Sequence, residues 1–144
     1  MDHKPLPQTN NPLVVRADFE NLEAWKTICQ RISAPVPAPG DTFYANVQFL
    51  EDKSLGGLSI EELLAHVPAG YKHSFLFVVD SATTAHSEFP ILVVQLRGVR
   101  GRSFRAIPAT IQAIENNLST ANMDFFEFAN AVDADRVFRG FPAP

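Results

Sequence analysis

A chain of 144 residues, 46% of them hydrophobic and 19% charged, has the size and composition of a single folded domain. A net charge of −4 argues against general nucleic-acid binding, and no apolar run approaches the roughly 20 residues that cross a bilayer, so we expect no membrane insertion. The single cysteine excludes an internal disulfide, and the polar first residues lack the apolar centre of a secretion signal. We therefore expect a cytoplasmic protein.

The first third of the chain predicts a tail, a strand and a helix. Residues 1–11 are polar and proline-containing, so we expect a flexible tail before a single globular domain over 12–144. Residues 13–18 form a short apolar strand, and Asp18 is placed to cap the helix that follows. That helix ends before Pro35, and its apolar face carries Leu22, Trp25, Ile28, Cys29 and Ile32.

The middle of the chain alternates strands with one well-signalled helix. Prolines make 34–40 an extended connector, and 42–50 alternates as a half-buried strand. Ser59 and Glu62 form a capping box that begins a helix. The continuous apolar run 73–80 predicts a central strand buried on both faces, and a polar loop separates it from a second apolar strand, 91–96.

The last third predicts a hairpin and two helices. A glycine-containing turn over 97–102 leads into a strand, 103–107, and isoleucine spacing favours a helix over 107–118. Asp124 and Glu127 form a second capping box for a helix over 125–132, and 136–141 closes the domain as an edge strand or clip. The order indicates an α/β (or α+β) fold, with a single mixed sheet of about five strands covered by about four helices.

No motif for catalysis or cofactor binding is present. The chain lacks a phosphate-binding loop, a dinucleotide-binding glycine motif, a zinc-protease motif, paired cysteines and a nucleophile elbow. The histidines are scattered, without a second histidine or cysteine at ligand spacing. We expect Cys29 to be a small buried hydrophobe. The sequence therefore predicts no metal site and no cofactor, and leans against an enzyme.

The first candidate site is an asparagine-rich stretch beside the densest aromatic cluster. Asparagine ends helices and holds turns, so the stretch fits a structural junction. The other interpretation is a binding surface, centred on Phe126 because it falls off the face that its neighbours bury. Its residues are Asn116, Asn117, Asn122, Asp124, Phe126 and Glu127.

The second candidate site lies at predicted strand ends. Asp18 and Asp80 each end an apolar strand, and such ends converge where ligands bind in parallel sheets. Arg16 lies two residues before Asp18, and His73 stands at the mouth of the central strand. These four residues are an alternative pocket; the structural interpretation is that Asp18 caps a helix and Asp80 starts a loop.

The hairpin RGVRGRSFR concentrates positive charge. Arg97, Arg100, Arg102 and Arg105 fall within nine residues, whereas the rest of the chain carries net −8. Arginine binds phosphate groups through paired hydrogen bonds, and Phe104 offers a stacking face. A local protein contact and a solvated turn are the other interpretations.

Four segments carry a family resemblance. PLVVRADF, GYKHSFLFVVD, RSFRAIP and IENNLSTANMDFFEFANAVDADRVFRGF resemble a family of small bacterial proteins known only as a domain of unknown function. The resemblance spans roughly 12–141, and its most specific part is NNLSxANMDFxxF. It implies no activity, cofactor or catalytic residue.

Three interpretations of the function remain. The first is a small cytosolic non-enzymatic binding protein, such as an immunity or antitoxin-like protein whose acidic surface blocks another protein. The alternative is a small-molecule-binding protein or weak enzyme that uses the strand-end pocket. A homodimer, formed through a sheet edge or Phe126, is a third possibility.

Overall fold

The computed structural model describes residues 4–142, which form a mixed sheet with helices on both faces. The sheet has six strands rather than about five, in the order β4-β1-β5-β6-β7-β8, so the predicted mixed α/β class is confirmed. A two-stranded hairpin, β2-β3, lies apart from it. The strands are β1 (Leu13–Arg16), β2 (Val36–Ala38), β3 (Asp41–Phe43), β4 (Gln48–Leu50), β5 (Phe75–Val79), β6 (Ile91–Gln95), β7 (Ser103–Ala106) and β8 (Val137–Phe138).

Three neighbouring strands, β4, β1 and β5, run parallel on one side of the sheet. β1 runs parallel to both β4 and β5, β5 to β7 form an antiparallel meander, and β8 pairs parallel to β7 as an edge strand. All five residues of β5 are buried, which confirms the strand predicted from its continuous apolar run. β1 and β5 therefore begin at one end of the sheet, the amino end, and finish at the other, the carboxyl end.

Five helices surround the sheet in the described part of the chain. Helix α1 ends before Pro35 as predicted, and the Ser59–Glu62 capping box opens α2 with both of its hydrogen bonds in place. The predicted helix over 125–132 is shorter, because Asn130 ends it. The helices are α1 (Leu22–Ser33), α2 (Ile60–Leu64), α3 (Ser81–Ala85), α4 (Ile111–Ser119) and α5 (Phe125–Ala129).

Each face of the sheet carries its own apolar cluster. On one face the alternate side chains of β1, β5, β6 and β7 pack against α1, α4 and α5. Phe128 is fully buried there and meets Phe138 edge to face at 5.3 Å between ring centroids. The other face packs against α2, Leu55 and Tyr71. Burial of strands on both faces explains why β5 has no polar alternation.

Residues 4–11, the described part of the predicted flexible tail, contact the folded domain. Leu6 is buried in the second cluster, and its backbone N–H donates to the carbonyl of His66 at 2.8 Å. The Gln8 side chain accepts a bond from the Lys72 N–H. One apolar residue and long-range backbone pairing fasten this segment, which its polar composition did not reveal. Residues 1–3 of the predicted tail lie outside the described residues.

Three local predictions need correction. The single strand predicted over 42–50 is divided into β3 and β4, because residues 44–47 leave the extended pairing and run past α4. The loop predicted after β5 contains helix α3, which Asp80 caps. Leu22, placed on the buried face of α1, is 48% exposed. None of the described helices has the length and apolar character needed to cross a membrane.

Candidate functional site

The asparagines of the first candidate site hold the turn that ends α4. The backbone N–H of Asn122 donates to the carbonyl of Asn117 at 3.0 Å, and the N–H of Ala121 donates to Leu118 at 3.2 Å. These two bonds form a Schellman motif, with Ala121 at φ 57° in the position that usually takes glycine. The Asn122 side chain also donates to Asn117 Oδ1 at 2.8 Å. Asn117 and Asn122 therefore stabilise a helix end, but neither takes the left-handed position itself. Helix α4 runs through Asn117 to Ser119, its C-cap is Thr120, and the left-handed residue is Ala121.

Replacing Ala121 with glycine should stabilise the fold by about 0.5–1 kcal/mol. Glycine removes the steric cost of the left-handed conformation, which exceeds the extra chain entropy it gives the unfolded state. Urea unfolding followed by circular dichroism measures the change. Ala113→Gly, inside α4, is the matched control and should destabilise by about 1 kcal/mol. Equal destabilisation by both variants would contradict the proposed strain at Ala121.

Asn116 connects α4 to the segment between β3 and β4. Its Nδ2 donates to the Tyr44 carbonyl at 3.0 Å and to Glu115 Oε1 at 2.7 Å. Glu115 is 3% exposed, and it also accepts bonds from the Asn46 N–H at 2.6 Å and the Ser119 hydroxyl at 2.7 Å. This buried carboxylate has no basic partner within 4 Å among the described residues. Three hydrogen bonds satisfy it instead.

Helix α5 begins at the predicted capping box and exposes one phenylalanine. Glu127 accepts a bond from the Asp124 N–H at 2.8 Å. Phe125 and Phe128 are buried, whereas Phe126 is 48% exposed. Asp124 and Glu127 are exposed beside it. We call Asp124, Phe126 and Glu127 the α5 surface.

Asp80, at the carboxyl end of β5, is joined to Arg105 by two hydrogen bonds. Arg105 Nη1 and Nη2 donate to its two carboxylate oxygens at 2.9 and 2.8 Å, and Nη1 also donates to the Pro90 carbonyl at 3.0 Å. The same carboxylate accepts bonds from the backbone and hydroxyl of Thr83, which is fully buried. Burial raises the pKa of Asp80, but the hydrogen bonds and charge of Arg105 outweigh it, and the pKa lies below its ordinary value.

Asp18 lies at the neighbouring strand end but does not cap α1. The N-cap is Asn21, whose side chain accepts a bond from the Ala24 N–H at 3.0 Å. Asp18 accepts bonds from the Glu20 N–H and the Thr84 hydroxyl instead. It is three residues too early in the chain to reach the first turn of the helix. Asp18 and Asp80 line one open cleft of about 650 Å³ at the carboxyl end of the sheet, and both carboxylates are held by hydrogen bonds.

Arg16 does not line that cleft, although its Nε donates to the backbone carbonyl of Asp18 at 3.0 Å. It is 5% exposed, binds Glu51 at 2.8 Å, and lies over the rings of Phe19 and Trp25. Its guanidinium is therefore satisfied by an ion pair and by aromatic faces. It stabilises the packing of β1 against α1 and does not line the cleft.

His73 lies at the opposite end of the sheet from Asp80. It lies two residues before the first residue of β5, whereas Asp80 follows the last one, so the five extended residues of β5, which span about 17 Å, separate the two. Its Nε2 lies 2.7 Å from the Thr9 carbonyl. The alternative pocket of Arg16, Asp18, His73 and Asp80 therefore does not assemble.

Two adjoining hollows occur at the amino end, and both include His73 and Arg97 in their walls. The larger, about 560 Å³, contains Glu115 and Asn116. The smaller, about 460 Å³, is lined by Tyr71, His73, Arg97 and Arg100 together with apolar side chains of 67–69 and Leu96. We call the smaller one the basic hollow. The hydroxyl of Tyr71 is buried without a hydrogen-bond partner among the described residues, and burial raises its pKa.

Cys29 and the acidic groups do not form a reactive or metal centre in the described part of the chain. Burial, together with the charge of Glu51, raises the pKa of the Cys29 thiol to about 11, so it is protonated at neutral pH. No cluster of three or more potential metal-ligating side chains is found within residues 4–142.

Sequence reasoning missed Glu115, Tyr71 and the partner of Asp80. Glu115 was passed over because it stands among asparagines on a helix, where an acid is usually solvated. The pairing of Asp80 with Arg105 crosses 25 positions, and no local spacing indicates it. Phe104, predicted as an exposed stacking face, is 2% exposed because it alternates inward along β7.

The chain belongs to the family described as Domain of unknown function (DUF6924), whose model matches residues 11–141. This confirms the family resemblance of the sequence, and the family has no known activity. No curated protein and no solved structure matches the chain.

Proposed function

We propose that this member of the DUF6924 family is a non-enzymatic binding protein of the bacterial cytoplasm, and that another protein docks on its α5 surface. An immunity or antitoxin-like role, in which docking blocks a toxic partner, is the specific form we favour. The proposal concerns a protein partner, not nucleic acid, because the chain is acidic overall.

The exposure of Phe126 carries this proposal. A five-residue helix that buries Phe125 and Phe128 presents a third phenylalanine with 48% of its surface exposed. Burying a phenylalanine completely contributes roughly 1.5–3 kcal/mol, and aromatic side chains are common binding anchors. The capping box holds the helix, so the ring is presented from a fixed backbone.

The charges beside Phe126 favour a partner with a basic rim. Asp124 and Glu127 are exposed, and neither forms an ion pair within the described residues. The net charge of −4 would add long-range attraction towards a basic protein. We therefore expect a partner with an apolar pocket for Phe126 and lysine or arginine around it.

Site-specific crosslinking from position 126 tests this proposal. A photoreactive phenylalanine analogue replaces Phe126 in the full chain, which is expressed in its source cells and irradiated. The matched control carries the analogue at Leu22, which is also 48% exposed. We expect a discrete adduct with another protein from position 126 and none from position 22.

Reversal of the two negative charges beside Phe126 tests whether they contribute to docking. Asp124→Lys combined with Glu127→Lys should reduce the adduct, whereas Glu23→Lys on α1 should leave it unchanged. An adduct only with a second copy of the chain would replace the proposal with a homodimer. Equal labelling from positions 126 and 22 would count against any specific surface at α5.

A further inference from the structure

We propose that the basic hollow binds a small organic anion through a phosphate or carboxylate group. This site is separate from the α5 surface, and it assigns a role to the arginine hairpin. The inference does not depend on a protein partner.

The basic hollow concentrates positive charge without acidic compensation. Its lining includes Arg97, Arg100 and His73 and contains no aspartate or glutamate. Within the described residues, neither arginine has a carboxylate within 4 Å. The charge of both guanidiniums is thus available to an anion.

Backbone carbonyls hold both arginines in place. Arg97 Nη2 donates to the carbonyls of Tyr71 and Lys72 at 2.7 and 2.9 Å. Arg100 Nη2 donates to the Leu64 carbonyl at 3.0 Å. These neutral acceptors fix the guanidiniums but leave their charge intact, and Arg97 Nη1 and Nε have no partner in the described chain. Fixed donors lose less entropy when a ligand binds.

Tyr71 contributes to the wall of the hollow but supplies no donor to a ligand. The residue is 5% exposed, and its hydroxyl is buried without a hydrogen-bond partner within residues 4–142. Because solvent does not reach this oxygen, a ligand in the open hollow does not reach it either. The donors for an anion are therefore those of the two arginines.

The surroundings favour a small ligand over a polyanion. Val67, Pro68, Ala69 and Leu96 provide apolar walls, and about 460 Å³ is a usual size for a small-molecule site. The adjoining hollow contains the buried carboxylate of Glu115, which repels a second anionic group. Outside the hairpin the chain carries net −8, which repels a long nucleic acid.

Titration of the full chain with simple anions, followed by amide chemical shifts, tests this inference. The probes are phenyl phosphate, benzoate and inorganic phosphate, which distinguish the phosphate and carboxylate groups and the apolar contribution. We expect phenyl phosphate or benzoate to shift amides of 67–73 and 96–100, and to bind more tightly than inorganic phosphate.

Three variants distinguish a specific binding site from unspecific electrostatic attraction. Arg100→Gln should weaken binding about tenfold, because it removes the charge and the paired donors of the guanidinium. Tyr71→Phe should change binding less than about twofold and should not lower the urea midpoint, since the hydroxyl it removes is unpaired and closed to solvent. Arg102→Gln, on the same hairpin but outside the lining, makes the same charge change and should alter binding less than about twofold.

Any of three results would overturn the inference. One is the absence of shifts at 67–73 and 96–100 with both phenyl phosphate and benzoate. Another is an equal loss of affinity in Arg100→Gln and Arg102→Gln, which would indicate unspecific attraction. The last is binding of a single-stranded oligonucleotide at this hairpin in preference to the small anions.

Discussion

Asp80→Ala should destabilise the fold by about 3 kcal/mol, because it leaves Arg105 partly buried without its charge partner. The two side chains are 26% and 27% exposed, so we place the loss at the lower end of the range for buried pairs. The variant also removes the cap of α3 and one of the two acceptors of the buried Thr83 hydroxyl, the other being the Pro90 carbonyl. The lost ion pair, cap and acceptor all lie where β5, α3 and β7 meet.

Urea unfolding at neutral pH measures this loss. The matched control is Asp133→Ala, which also removes an aspartate bonded to an arginine but at a side chain that is 57% exposed. We expect the control to change the free energy of unfolding by less than about 0.5 kcal/mol. Similar losses of unfolding free energy in the two variants would contradict the expectation that the partly buried Asp80 stabilises the fold more than the exposed Asp133.

The contribution of Asp80 should also depend on pH in a defined direction. Its pKa is lower in the folded protein than in the unfolded chain, so the folded state favours the charged form. The stabilisation is fully present above the unfolded value of about 3.9 and is lost as pH falls through the lower folded value. The difference in stability between wild type and Asp80→Ala should therefore narrow below about pH 4.

Glu115→Ala should destabilise the fold by about 3 kcal/mol, because it leaves three donors without their acceptor in a buried position. Glu115→Gln should remain within about 1 kcal/mol of wild type. The glutamine oxygen can accept the bonds of Asn46 and Asn116, and its amide can donate to the Ser119 hydroxyl. It also removes a buried charge that has no counter-ion.

The comparison of the two Glu115 variants separates hydrogen bonding from packing. Both are measured by urea unfolding, with Gln112→Ala on the same helix as a half-buried control. If Glu115→Gln is as damaging as Glu115→Ala, the negative charge itself is required. If neither variant changes the free energy of unfolding, Glu115 does not hold the segment between β3 and β4 against α4.

The predicted features that the structure confirms are mostly local. Both capping boxes span three positions, so the spacing of Ser59 with Glu62 and of Asp124 with Glu127 was sufficient to place two helix starts. The apolar run of β5 similarly identified a strand buried on both faces. A helix end near the asparagines was also expected, but the left-handed position falls on Ala121 and not on an asparagine.

The features that could not be predicted depend on distant pairs. Glu115 binds a backbone N–H 69 positions away, and the segment that contains Leu6 docks on residues about 60 positions later. Such contacts depend on which strands are adjacent in the sheet. Hydrophobic periodicity does not specify that order. The grouping of His73 with Asp80 is a different error, because the five-residue strand β5 lies between them and spans about 17 Å.

The most direct test of the central proposal is the affinity of the partner captured at position 126 for three purified proteins. Wild type, Phe126→Ala and Leu22→Ala are compared by titration calorimetry. We predict that Phe126→Ala weakens binding by roughly 30-fold or more, as expected for a binding anchor, and that Leu22→Ala binds like wild type. Equal affinity of Phe126→Ala and wild type would contradict docking on the α5 surface.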